Sequence, residues 1–109
     1  NESVLIDFDK IFEENVFPDG MTIDENGNLY VATWGGSKVY VIDPIEKKII
    51  REIDMPTSQV TSVAFGGSNF EDLYVTTAAK GTQNVFAGGL FKITGLNAKG
   101  RIMNNFKYN

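Results

Sequence analysis

Carboxylates, hydroxyls and amides are the groups with which this 109-residue chain could do chemistry, because it contains neither histidine nor cysteine. Imidazole bases, Ser-His nucleophiles, thiolates and the usual zinc ligands are thereby excluded. Asp19 is the strongest candidate. It stands between Pro18 and Gly20, immediately ahead of an expected strand beginning at Met21. A carboxylate there suits a hard cation such as Ca²⁺ or Mg²⁺, which prefers oxygen ligands. Pro-Asp-Gly is also a common turn tripeptide, so the alternative is that Asp19 only shapes a turn. Thr61 and Ser62 offer hydroxyls to a substrate, or else satisfy nearby backbone groups. Trp34 could stack on a ligand or pack between elements. Asp24-Glu25-Asn26-Gly27-Asn28 invites a calcium-loop reading, which fails because its glycine is in the fourth place and no glutamate stands at the twelfth. It reads as a hairpin turn, and replacement of Asp24 is expected to leave any binding nearly intact.

These residues fall into register with one another through an internal repeat. Asp19-Gly20-Met21-Thr22-Ile23 lies over Thr61-Ser62-Val63-Ala64-Phe65 at an offset of 42, and Leu29-Tyr30-Val31 over Leu73-Tyr74-Val75 at an offset of 44. Lys38-Val39-Tyr40-Val41-Ile42-Asp43 lies over Gly89-Leu90-Phe91-Lys92-Ile93-Thr94 at an offset of 51. A period of about 45 residues with four β-type runs per copy is the pattern of β-propeller blades. The first copy predicts strands over 21–24, 29–34, 39–43 and 49–54, and the second over 60–65, 73–77, 90–94 and 102–106. Residues 4–8 read as an outer strand left over from a preceding blade. The expected organisation is thus all-β: an outer strand and linker over 1–17, then four-stranded antiparallel blades over 18–56 and 57–109. Helix is weakly supported, since 10–15 has room for one turn before Phe17-Pro18 stops it.

Runs near the start of each copy are apolar on both faces, as expected for strands covered by neighbouring blades. A propeller gathers the starts of its innermost strands around one channel mouth, which would bring Asp19, Thr61 and Ser62 to a common end. The segment 79–88 joins a second to a third strand and should lie on that same face, as a rim or lid or as an ordinary irregular loop.

A hydrophobic fraction of 42% with 22% charged residues is ordinary globular composition. Two blades cannot close a ring, since propellers have about four to eight. The expectation is therefore either a self-assembling partial propeller or the C-terminal part of a longer chain that supplies the remaining blades. A net charge of −4 with no Lys/Arg cluster argues against nucleic acid. No apolar run approaches the roughly 20 residues of a membrane helix. The absence of cysteine fits a cytoplasmic protein.

Pro18-Asp19-Gly20-Met21-Thr22-Ile23-Asp24, Gly27-Asn28-Leu29-Tyr30-Val31-Ala32, Val60-Thr61-Ser62-Val63-Ala64-Phe65-Gly66-Gly67, Leu73-Tyr74-Val75-Thr76 and Ala87-Gly88-Gly89-Leu90-Phe91-Lys92-Ile93-Thr94-Gly95-Leu96 follow one another in an order that resembles the regucalcin (senescence marker protein) family. That family includes the gluconolactonases and the luciferin-regenerating enzymes. The resemblance implies a six-bladed propeller with one divalent cation at the channel mouth, Ca²⁺ or alternatively Zn²⁺, Mg²⁺ or Mn²⁺, bound by a Glu, an Asn and an Asp. The family's Asp stands in this Pro-Asp-Gly motif and carries over to Asp19. It implies for Asp19 a role as metal ligand and, in the hydrolases, as a catalytic carboxylate that assists proton transfer while a lactone opens.

The resemblance also has gaps. The family's Glu and Asn ligands, and its substrate-holding Arg and Asn, belong to earlier blades and have no counterparts here. The segment alone is therefore expected to bind metal poorly and to be inactive. Three readings stay open: part of a metal-dependent lactone hydrolase, a non-enzymatic calcium-binding or structural propeller, or a luciferin-regenerating-type hydrolase. All three share the all-β expectation, so circular dichroism should give less than about 15% helix; a larger helical fraction would overturn the blade assignment.

Overall fold

Seven strands form where β-branched and aromatic runs lie between Gly, Asn and Asp turns, in a computed structural model that describes residues 8–78 and 89–100. They are β1 (Phe17–Ile23), β2 (Leu29–Trp34), β3 (Lys38–Asp43), β4 (Lys48–Asp54), β5 (Val60–Gly66), β6 (Asp72–Thr77) and β7 (Leu90–Ile93). β1 to β4 make one antiparallel meander in chain order, and β5 to β7 a second. The expected fourth strand at 102–106, the loop 79–88 and residues 4–7 of the expected outer strand lie outside the described residues. Phe8, expected to end that strand, instead opens a short 3-10 turn over Phe8–Lys10, where the amides of Ile11 and Phe12 both donate to its carbonyl.

The turns do what their residues dictate. In the β3–β4 turn the Asp43 carboxylate accepts from the amides of Ile45 and Glu46, at 2.9 and 3.2 Å. Gly35 supplies the left-handed conformation, φ 94°, needed between β2 and β3. β1 begins four residues earlier than expected, and so contains Pro18 and Asp19. Pro18 is tolerated because β1 is an edge strand, where a missing amide costs no ladder bond.

β2 and β3 are buried on both faces. On one face Tyr30, Ala32, Val39 and Val41 pack against Val60, Val63, Leu73 and Val75 of the second sheet. The Tyr30 and Phe65 rings meet edge to face, with centroids 4.9 Å apart. On the other face Val31, Tyr40 and Ile42 are covered not by a third sheet but by the segment 8–16, through Phe8, Ile11, Phe12 and Val16. The far face of the second sheet is mixed, with Ser62, Ala64, Thr76, Leu90 and Lys92 exposed. The outward faces are therefore less uniformly apolar than a run of buried blades would require.

Backbone hydrogen bonds tie the sheets at both ends. Gly35 N donates to Ser58 O at 2.8 Å, beside a Trp34–Gln59 bridge. At the opposite end Glu25 N donates to Lys99 O at 2.7 Å, beside an Asp24–Gly100 bridge. The hairpin reading of 24–28 holds, and Asp24 does more than shape the turn. Its carboxylate is buried and accepts from the amides of Asn26 and Asn28, both at 2.9 Å. Burial foremost, then the Asp24 charge and a hydrogen bond to that carboxylate, push the Tyr30 hydroxyl up to about 12, against a smaller opposing effect of Arg51.

Asp24→Ala should therefore lower stability by about 2 kcal/mol, because two amides and a phenol lose their acceptor inside the structure. It is a folding variant, and so unsuited as a neutral control for changes at Asp19. Tyr30 is neutral in both states below pH 10, and only the unfolded form ionises between about 10 and about 12. Its contribution is complete below that window and lost as pH rises through it. Urea titrations at stepped pH should show a steeper alkaline loss for the wild type than for Tyr30→Phe; equal slopes would overturn the coupling.

Candidate functional site

The first strands of both sheets, β1 and β5, carry a bulge at the same place in the repeat. In β1, Pro18 pairs with Thr33 and Met21 with Val31, so Asp19 and Gly20 together oppose Ala32. In β5, Val60 pairs with Thr77 and Ser62 with Thr76, so Thr61 is the extra residue. A bulge breaks the alternation of side chains and re-aims one of them, and such features concentrate beside binding sites. The bulge in β5 also explains why Val60 and Val63, three positions apart, both enter the core between the sheets.

β1 lies against β5, and the two bulges meet. A Cβ added at Gly20 would sit 2.9 Å from the Thr61 carbonyl oxygen and 3.0 Å from Ser62 Oγ. The structure thus brings Asp19, Thr61 and Ser62 to one end of the two-sheet unit. Asp19 is exposed and makes no hydrogen bond or ion pair with a described residue. Thr61 is committed differently: its hydroxyl donates to Thr76 O at 3.1 Å and lies 2.8 Å from Thr76 Oγ1. Ser62 is exposed. Trp34 is half-buried at this end and bridges Gln59 through its backbone. The ends of β6 and β7 that flank the segment 79–88 are here too, where Thr77 Oγ1 accepts from Gly89 N at 3.0 Å.

The donor chemistry fits a hard cation, but the number of donors does not complete a site. Among the described residues no three His, Cys, Asp or Glu side chains cluster as a metal centre would need. One carboxylate with neighbouring hydroxyls falls short of the about six to eight oxygens that Ca²⁺ takes. A surface cavity of about 560 Å³ lies at the other end of β1, lined by Glu25, Glu71, Asp72 and Lys99 among others. One of its acids, Asp72, faces Lys92 at 3.8 Å. It is remote from Asp19 and takes no part in the candidate site.

Sequence reasoning missed Gly20 and both bulges. The available signal was parity: Val60 and Val63 are apolar at an odd spacing with two hydroxyl residues between them, which in a strand that buries both on one face calls for an extra residue.

Comparison with known proteins connects this geometry to a family. A family model described as SMP-30/Gluconolactonase/LRE-like region matches residues 1–79. Human regucalcin is 41% identical over 97 residues, covering 84% of this chain and 32% of its own. A putative sugar lactone lactonase, YvrE of Bacillus subtilis, is 50% identical over 80 residues, covering 68% of this chain and 27% of its own. Among solved structures, a luciferin-regenerating enzyme superposes with a TM-score of 0.74 at 39% identity, covering 89% of this chain and 34% of its own. The regucalcin of Agrobacterium tumefaciens, described as a calcium-binding protein, superposes with a TM-score of 0.70 at 30% identity, covering 77% and 30%. The chain thus spans about a third of the length of these relatives.

Proposed function

The chain belongs to the SMP-30/gluconolactonase/LRE-like family, and on that premise we propose that it supplies two blades of a six-bladed propeller that is a divalent-metal-dependent lactone hydrolase. The supporting observation is the exposed, uncommitted Asp19 carboxylate on a bulge at the end where the two innermost strands meet. Elsewhere in the two sheets the carboxylates that shape turns, Asp24 and Asp43, are occupied by backbone amides. The calcium-binding description of the Agrobacterium tumefaciens relative supports a divalent cation, Ca²⁺ first among the candidates.

Asp19 would be one oxygen ligand, the others coming from blades outside this chain. When bound, a divalent cation polarises a carbonyl and eases ionisation of water. The part assigned to this chain is proton handling. As water adds to the lactone carbonyl, Asp19 accepts the proton released, and when the ring C–O bond breaks the proton passes to the leaving oxygen. Water and lactone become a hydroxy acid, with Asp19 returned to its starting state. Ser62, exposed beside Gly20, would hydrogen-bond a substrate hydroxyl; Thr61, already bonded to Thr76, would act mainly by fixing the bulge. A non-enzymatic calcium-binding propeller would use the same ligand without turnover, and the lactone assay below separates the two.

In the complete propeller, Asp19→Ala should weaken Ca²⁺ binding in calorimetric titration and reduce lactone opening by about a hundredfold or more, since a charged ligand and the proton acceptor are removed together. Glu46→Ala, in the exposed β3–β4 turn, is the control and should change neither. Wild-type affinity and turnover in Asp19→Ala would leave Asp19 a turn residue only. Ca²⁺ binding by a wild type that has no lactonase activity, weakened in Asp19→Ala, would favour the non-enzymatic reading.

The blades also need neighbours. Phe17 and Met21 on β1 are 54% and 45% exposed, and Leu90 on β7 is 67% exposed. The isolated chain should self-associate or travel with the remaining blades, and light scattering should find species above 12.1 kDa. A well-folded monomer of that mass would overturn this expectation.

A further inference from the structure

Gly20 has no conformational reason to be glycine. Among the described residues the left-handed glycines are Gly27, Gly35, Gly67 and Gly95, and Gly20 is not one of them. Any residue could adopt its backbone. What excludes a side chain is contact: an added Cβ would stand 2.9 Å from Thr61 O, 3.0 Å from Ser62 Cα and 3.0 Å from Ser62 Oγ. Two of those three atoms belong to the backbone of β5, which cannot swing aside as a flexible side chain can. β5 is held in turn by its own ladder to β6 and by Val60 and Val63 in the core. A methyl group at position 20 must therefore displace β1.

The residue next to that contact is Asp19, and the two share one bulge, paired together against Ala32. β1 is an edge strand, so nothing on its other side among the described residues restores its position once β5 pushes it away. From these constraints we propose that Gly20 is a positioning residue for the Asp19 carboxylate, setting through its missing side chain how closely the bulge of β1 seats on the bulge of β5. Ser62 is the other half of the device, because its Cα and Oγ form two of the three contacts. This inference rests on the reading of Asp19 as a metal ligand, and adds to it the residue that fixes where the ligand stands.

Gly20→Ala, Gly20→Ala/Ser62→Gly and Asp19→Ala would be compared with the wild-type complete protein by Ca²⁺ calorimetry and by amide chemical shifts at Asp19 and Ser62. Gly20→Ala should weaken Ca²⁺ binding by about tenfold, the loss usual when a group that orients a ligand is disturbed. The Asp19 and Ser62 amide shifts should move with it. Adding Ser62→Gly removes the Oγ contact but leaves those to Thr61 O and Ser62 Cα, so only part of the affinity should return, a partial rescue that a general loss of stability would not allow. Wild-type affinity and unmoved amide shifts in Gly20→Ala would overturn the proposal. If Gly20→Ala does not fold, the double variant decides: affinity below that of the wild type but above that of Asp19→Ala supports the proposal, and affinity equal to either overturns it. Should Asp19→Ala itself bind Ca²⁺ like the wild type, the ligand reading fails, and the amide shifts alone then judge whether Gly20 seats the bulge.

Discussion

Between Gly20 and the Thr61–Ser62 peptide there is no room for a methyl group, and the arrangement of the two sheets at this end follows from that contact. Close approach of β1 and β5 lets the two bulges face one another. It also brings Asp19, the neighbour of Gly20 in the bulge, to the same end of the unit as the Ser62 hydroxyl. A protein interior is packed at near-crystalline density, so an absent side chain is as specific an instruction as a present one.

Association of the sheets and their alignment have different causes. Burying one Val or Leu side chain is worth about 1.5–3 kcal/mol, and Ala32, Val39, Val60, Leu73 and Val75 are fully buried between the sheets. A net backbone hydrogen bond is worth about 1 kcal/mol, so bonds such as Gly35 N to Ser58 O add little to the attraction. They are directional where the apolar contact is not, and they occur at both ends of the interface. The core brings the sheets together, and the end bonds with the Gly20 contact choose the registration.

The outer face of the first sheet is closed differently. Residues 8–16 lay Phe8 and Phe12, stacked with ring centroids 5.5 Å apart, over Val31, Tyr40 and Ile42. A two-faced apolar pattern in β2 and β3 requires a cover on each side, but the pattern is indifferent to whether a sheet or an irregular segment provides it. Asp24 and Asp19 make the same point for charged groups. Both belong to β1 or its end, five residues apart, yet one is buried and accepts from two backbone amides, while the other is exposed and bonded to no described residue.

What the sequence determined by itself was local and periodic. The offset repeat, the β-branched runs and turns such as Asp24 to Asn28 specified two antiparallel meanders and the positions of most strand ends, because hairpin register follows from turn chemistry and side-chain alternation. The Pro18-Asp19-Gly20 motif likewise pointed to the family and to Asp19. Only the tertiary structure decided which residues meet: that Thr61 is spent on Thr76, that Asp24 and Tyr30 form one buried unit, that 8–16 serves as the outer cover, and that Gly20 is a contact and not a turn. Each of these depends on a neighbour far along the chain or on a bulge that shifts side-chain parity by one, and neither leaves a local signal strong enough to outweigh the repeat.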